Sequence, residues 1–109
     1  MKESDLYKGI ISALAQGGLA YVWRNQAGTA RGGRMHLAPV GTPDLVGYTP
    51  RGRFVGLEVK LPGKKPSADQ AEWILRMKYN GCIAGIVTST EEAVRLCHEG
   101  TMLSPNRKP

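Results

Sequence analysis

The chain is predicted to form a mixed central sheet flanked by helices, an α/β fold of order α-β-β-β-α-β-α, on three observations. Apolar residues recur at helical spacing in separate segments. Short apolar runs bounded by Gly, Pro and Asn stand between those segments and read as strands. Two Ser-x-x-Gln/Glu capping patterns mark helix starts immediately after turn sequences. With 109 residues and 41% hydrophobic content, the chain supports one core and not two. A stacked-repeat architecture is excluded because no internal period of roughly 20–50 residues is visible.

Leu6, Ile10, Ile11 and Leu14 form one apolar stripe, so a first helix is expected from residue 3 to residue 16, stopped by Gly17-Gly18. Leu19 to Trp23 is short, apolar and aromatic, and reads as a strand. Between residues 25 and 41 stand four glycines, Gly28, Gly32, Gly33 and Gly41, with Arg31 and Arg34 among them. That composition predicts a basic loop or a loose hairpin. Pro43–Tyr48 and Arg53–Lys60 are strand-like and enclose the turn sequence Thr49-Pro50-Arg51-Gly52. Ser67-Ala68-Asp69-Gln70 opens a second helix that runs to Tyr79, before Asn80-Gly81 stops it. Trp73, Ile74 and Met77 share helical spacing with Gln70, which assigns Trp73 to the core or an interface. Ile83 to Val87 reads as a buried strand, and Ser89-Thr90-Glu91-Glu92 opens a last helix through Cys97. Residues 1–103 are thus expected to be one domain, with 104–109 a flexible basic tail.

Charge is unevenly distributed. The net charge is +6, and the window from Arg24 to Lys65 holds eight cations (Arg24, Arg31, Arg34, Arg51, Arg53, Lys60, Lys64, Lys65) against Asp44 and Glu58. The remainder of the chain is neutral, so the whole excess lies in that window, which favours a polyanion partner. A membrane surface fits less well, since no run of about 18 apolar residues exists and no helix pairs a basic face with a bulky apolar one. Met1-Lys2-Glu3-Ser4-Asp5 lacks the basic-then-apolar order of a signal peptide, and a cytoplasmic location is expected. Cys82 and Cys97 have no CxxC partner and read as small buried hydrophobes. Together with His36 and His98 they show no zinc-ligand spacing.

The chemistry concentrates in the second strand of the hairpin. Along Phe54-Val55-Gly56-Leu57-Glu58-Val59-Lys60, Val55, Leu57 and Val59 share one face and Glu58 and Lys60 the other. A three-residue loop Pro50-Arg51-Gly52, with the glycine left-handed, makes Thr49 oppose Arg53 and Asp44 oppose Glu58. A two-residue loop would instead set Asp44 against Leu57. Opposed carboxylates about 5 Å apart at Cβ repel unless a proton or a cation lies between them. Basic surroundings disfavour the shared proton, and oxygen ligands suit a hard divalent ion. Such an ion provides what phosphodiester hydrolysis requires, with Lys60 placed to orient or deprotonate the attacking water or to offset developing charge. Spacing alone leaves open an ordinary Glu58–Lys60 ion pair on a half-solvated sheet.

Pro43-Asp44 followed by Glu58-x-Lys60, on a hairpin after an N-terminal helix, resembles the PD-(D/E)XK nuclease superfamily. The longer string is similar to its virus-type replication-repair nuclease (VRR-NUC) branch. It comprises Glu3-Ser4, Trp23-Arg24-Asn25, Gly41-Thr42-Pro43-Asp44, Leu57-Glu58-Val59-Lys60, Ser67-x-x-Gln70 and Gly81. The resemblance spans residues 3 to about 95. It implies a restriction-endonuclease-like fold and Mg²⁺-dependent cleavage of DNA, with Mn²⁺ able to substitute. It also implies metal binding by Asp44, Glu58, the Val59 carbonyl and Glu3, and catalytic roles for Lys60, Asp44, Glu58 and Gln70. Glu3 also complements the helix dipole, and the capping box competes with catalysis for Gln70.

Arg24, Asn25, Arg31, Arg34, Arg51, Arg53, Lys64 and Lys65 are the expected DNA contacts, directed at phosphates. No element resembles a base-reading helix, so selectivity for structure is expected, for example for four-way (Holliday) junctions. One active site per chain makes a homodimer the economical way to cut two strands. The competing reading is a non-catalytic nucleic-acid-binding module using the same basic hairpin.

Overall fold

The structure, a computed structural model, describes residues 2–30, 32–33 and 35–102. Arg31, Arg34 and the expected tail at 104–109 lie outside the described residues. The chain runs α1 (Glu3–Gln16), β1 (Tyr21–Arg24), β2 (Thr29–Ala30), β3 (Met35–His36), β4 (Leu45–Tyr48), β5 (Phe54–Val59), α2 (Ala68–Tyr79), β6 (Ile83–Val87) and α3 (Thr90–Thr101). The main sheet has strand order β1-β4-β5-β6, and β2-β3 form a separate small hairpin. The β1–β4 and β4–β5 pairs are antiparallel, whereas β5–β6 is parallel and is connected by α2. This is the mixed sheet flanked by helices that the sequence predicts, and the loose hairpin between residues 25 and 41 is β2–β3.

Alternation assigns the two faces of the sheet. Val22, Leu45, Val55, Leu57, Val59, Ile83 and Val87 pack with Leu6, Tyr7, Ile10 and Leu14 of α1 and Ala93 and Cys97 of α3. Val55, Leu57 and Val59 are fully buried, each contributing roughly 1.5–3 kcal/mol of transfer free energy. The other face is covered over β5 and β6 by α2, through Ile74, Met77 and Ala84. Gly56 permits this close approach: a Cβ there would run into Met77 Cε and stand 2.9 Å from Pro43 Cγ. Trp23, Val46 and Tyr48 point to that same face but lie beyond the helix.

Capping explains the helix starts. Ser67 Oγ accepts from the Gln70 amide at 3.1 Å, and Gln70 Oε1 accepts from the Ser67 amide at 2.8 Å, a complete capping box. Ser89 Oγ accepts from the Glu92 amide at 3.1 Å, while Glu92 turns back to Thr88 instead of Ser89. The α3 helix continues four residues past Cys97, because Gly100 lets its last turn lie directly on Ile83. No helix among the described residues is long and apolar enough to cross a membrane. Both cysteines are free, with Cys97 buried in the core as expected.

Candidate active site

The β4–β5 turn sets the register on which the site depends. Thr49 N–H donates to the Arg53 carbonyl at 2.9 Å, Gly52 N–H donates to the Thr49 carbonyl at 2.8 Å, and Gly52 has φ +85°. The loop is therefore the three-residue form with a left-handed glycine, a conformation that costs other residues about 1–2 kcal/mol. Tyr48 pairs with Phe54 and Leu45 with Leu57; one step further, Asp44 faces Glu58. Thr49–Arg53 is a hydrogen-bonded pair, so strict alternation makes Asp44–Glu58 a non-hydrogen-bonded pair, in which side chains approach most closely.

Beyond Leu45 the ladder gives way to side-chain contacts. Val59 N–H donates to Asp44 Oδ2 at 3.0 Å, and Asp44 N–H donates to Glu58 Oε1 at 3.2 Å. Asn25 secures the approach: its Nδ2 donates to Thr42 Oγ1 at 3.0 Å and to the Pro43 carbonyl at 2.9 Å, while its N–H donates to the Asp44 carbonyl. Trp73 Nε1 donates to the Val40 carbonyl at 3.1 Å, tying the same loop to α2.

Glu58 is the exceptional group. It is only 1% exposed, and its Oε2 makes no hydrogen bond. Lys60 Nζ stands 3.5 Å from that oxygen. Burial pushes the Glu58 carboxyl up to about 7, and the neighbouring Asp44 pushes in the same direction, while Lys60 opposes both. A buried charge without full compensation is costly. A hard cation beside Glu58 Oε2 and Asp44 would remove that cost, so the donor set fits a divalent ion. Among the described residues no three His, Cys, Asp or Glu side chains gather as a cation cage. The candidate site therefore rests on two carboxylates plus backbone oxygen, with the Val59 carbonyl adjoining Glu58 in sequence.

Other expected site residues fall into distinct groups. Glu3 Oε1 accepts from Tyr7 Oη at 2.8 Å, on α1. Arg24 lies on the far side of that tyrosine, its guanidinium 3.9 Å from the ring centroid. Burial first, then the Glu3 hydrogen bond and the charge of Asp44, hold the Tyr7 phenol above its ordinary range. Tyr7 thus links Glu3 and Arg24 to the neighbourhood of Asp44. Its place in the α1 stripe reads as plain core, and only the i, i+4 spacing from Glu3 signals the pair.

Gln70 occupies the capping conformer, so its carbonyl oxygen serves the helix start. Asn25 and Arg53 differ from expectation in the same way, because their polar groups serve the fold. Arg53 Nε and Nη2 donate to the Gly81 carbonyl at 3.1 and 2.9 Å, and Nη1 donates to the Gly100 carbonyl. Arg51 is exposed at the hairpin tip, about 17 Å along β4 from Asp44 at the usual strand rise. Lys64 and Lys65 are exposed just past the end of β5 that carries Glu58. Arg31 and Arg34 are outside the described residues.

A four-stranded mixed sheet that brings two opposed acids and a lysine to one strand end is a nuclease-type fold. The VRR-NUC domain family matches residues 30–91, more than half of the chain, and the chain belongs to that family. A solved VRR-NUC domain superposes with a TM-score of 0.62 at 24% identity, over 88% of this chain and 94% of that one. Its likeness is one of fold. No curated protein matches the chain. Asp44, Glu58, Lys60 and Gln70 lie inside the matched stretch, and Glu3 lies before it.

Proposed function

We propose that this protein is a divalent-metal-dependent, structure-selective DNA endonuclease that hydrolyses phosphodiester bonds in branched DNA such as four-way junctions. The observation that carries the reading is Glu58 Oε2, a buried carboxylate oxygen without a hydrogen bond, on the strand position that faces Asp44. Structural carboxylates are ordinarily satisfied when buried. Membership of a nuclease-like family supports the same reading.

Asp44, Glu58 and the Val59 carbonyl would hold Mg²⁺ or Mn²⁺. When bound, the ion supplies a more acidic water and charge stabilisation at the phosphorane-like transition state. Asp44 is fixed by the Val59 amide and Glu58 by the Asp44 amide, so neither carboxylate needs to reorganise during reaction. Lys60 Nζ, half-buried and 3.5 Å from Glu58 Oε2, would orient the attacking water or offset charge on a non-bridging phosphate oxygen. Arg24, Lys64 and Lys65 lie at the site's end of the sheet and would engage the backbone on either side of the scissile phosphate. Cutting both strands of a junction calls for two such sites, and a homodimer would provide them.

Cleavage of labelled duplex, flap and four-way-junction DNA with Mg²⁺, with Mn²⁺ and with EDTA tests the reading. Metal-dependent cutting of branched substrates is expected, and Lys60→Ala should slow it by about 10²–10⁴-fold. Binding without cutting on every substrate would leave a non-catalytic binding module.

A further inference from the structure

We infer that the open half of the sheet, formed by Trp23, Tyr48, Tyr21 and Phe54, is a binding platform for unpaired nucleobases of the substrate. This rests on the nuclease reading above. Tyr21 and Trp23 alternate with buried Val22 on β1, and Tyr48 and Phe54 face each other across β4–β5. All four rings therefore lie on the face that also carries Asp44 and Glu58. Their exposures are 42% for Tyr21, 52% for Trp23, 50% for Tyr48 and 47% for Phe54. Tyr48 stands between the rings of β1, 5.8 Å from Tyr21 and 6.4 Å from Trp23 between centroids.

Large apolar side chains grouped on one exposed surface mark an interaction site, and three observations select the occupant. The platform is continuous with the active site: Trp23 pairs with Val46, two residues from Asp44. At the usual strand spacing that places Trp23 about 8 Å from Asp44, and Tyr48 about 13 Å. A cavity of about 250 Å³, lined among others by Asn25, Pro43, Val46, Phe54, Trp73 and Met77, joins the platform's Phe54 to Pro43, the neighbour of Asp44 in sequence. Size is the second observation. Half of four aromatic side chains amounts to roughly 400 Å², well below the about 800 Å² per partner of a stable protein interface. Charge is the third: the cationic window of the sequence includes Tyr48 and Phe54, and Arg24 leaves the site end of β1 on the opposite face, over Tyr7.

Within a duplex each base face is covered by its neighbours. Bases exposed at a junction, flap or nick can stack on side chains instead, whatever their sequence. The platform thus gives a physical basis for structure selectivity: it rewards DNA that presents an open base next to the scissile phosphate.

The test is fluorescence anisotropy in EDTA, where nothing is cut. It compares a labelled oligothymidine strand with an abasic strand of equal length and charge. The unaltered protein should bind the thymidine strand about tenfold more tightly or better. Trp23→Ala with Tyr48→Ala should bring the ratio close to one without changing binding of the abasic strand, and Trp23→Phe should retain most of it. A ratio near one in the unaltered protein overturns the inference, as does a ratio that survives the double substitution. If it survives while sedimentation shows a dimer becoming monomers, the face belongs to a second copy. Base-dependent binding without metal-dependent cleavage would sink the nuclease reading alone, and cleavage without base dependence would sink the platform alone.

Discussion

At its turn the β4–β5 hairpin carries Arg53, whose guanidinium meets the carbonyls of Gly81 and Gly100. At the other end the same two strands carry Glu58, whose Oε2 makes no hydrogen bond and has only the Lys60 ammonium, 3.5 Å away, beside it. Both residues come from the one basic window of the sequence; Glu58 is buried and Arg53 half-buried. The turn end is satisfied from within the chain and ties β5 to the start of β6 and the last turn of α3. The site end sets two carboxylates, Asp44 and Glu58, against one nearby ammonium, Lys60, and the Glu58 carboxyl is still held above its ordinary range. A fold selected only for stability would compensate Glu58 as it compensates Arg53. The proposed metal site lies at the less fully compensated end.

The sharpest way to break this contrast is to remove the charge at the site end. On the proposed reading, Glu58→Gln should reduce metal-dependent cleavage on the order of 10³-fold, since several kcal/mol of transition-state stabilisation would rest on the ion. The same substitution should stabilise the metal-free protein. In the folded state the Glu58 carboxyl titrates near 7, above its ordinary value. The folded state therefore binds more protons than the unfolded chain between those two values. Stability of the metal-free protein should fall as pH rises from about 4.5 to above 7, by an amount on the order of 3 kcal/mol from this group. Thermal melts in EDTA at pH 5 and pH 8 check this, and Glu58→Gln should flatten the difference. Adding Mg²⁺ at pH 8 should raise the melting temperature of the unaltered protein and leave the variant unmoved. A variant that melts lower than the unaltered protein at pH 8 would show that Glu58 is already satisfied.

Much of this arrangement is legible in the sequence because it is local. Gly52 as third loop residue implies the register that faces Asp44 to Glu58. Period-two alternation separates Glu58 from Val55, Leu57 and Val59, and Ser67-x-x-Gln70 marks the start of α2. What is not legible depends on contacts far apart in the chain. Arg53 reads as one more cation in a basic run, and only folding brings Gly81 and Gly100 to it. Asn25 reads as a DNA contact beside Arg24, yet its amide meets Thr42 and Pro43 once β1 has paired with β4. Tyr7 is hidden in an apolar stripe. The strands of the β2–β3 hairpin have two residues each, too few for any periodicity to show.

Cations at the two ends should also separate in their effects. Arg53→Ala leaves the Gly81 and Gly100 carbonyls without a charged donor, and each such bond contributes about 1.5–3 kcal/mol. A stability loss of roughly 2–4 kcal/mol is expected by denaturant unfolding, with little change in the salt dependence of DNA binding. Lys64→Ala should do the reverse, leaving stability unchanged and lowering the salt slope by about one phosphate contact. Arg51→Ala, exposed but at the turn end, tests how far DNA extends along the hairpin. An unchanged slope there confines the DNA path to the site end.

The smallest expected effect addresses the turn itself. Gly52 has φ +85°, and nothing lies within 4 Å of the position a Cβ would take. Gly52→Ala therefore meets only the backbone penalty, about 1–2 kcal/mol. The β4–β5 register is held as well by the β1–β4 and β5–β6 ladders and by the burial of Leu45 and Leu57. A one-residue slip would turn each of these side chains to the opposite face, at a far greater cost than the strained turn. The variant should lose that modest stability in denaturant while cleaving at an undiminished rate below its melting range. If cleavage falls much further than stability, the turn and not the core holds Asp44 across from Glu58. The two ends of the hairpin would then be coupled through the register.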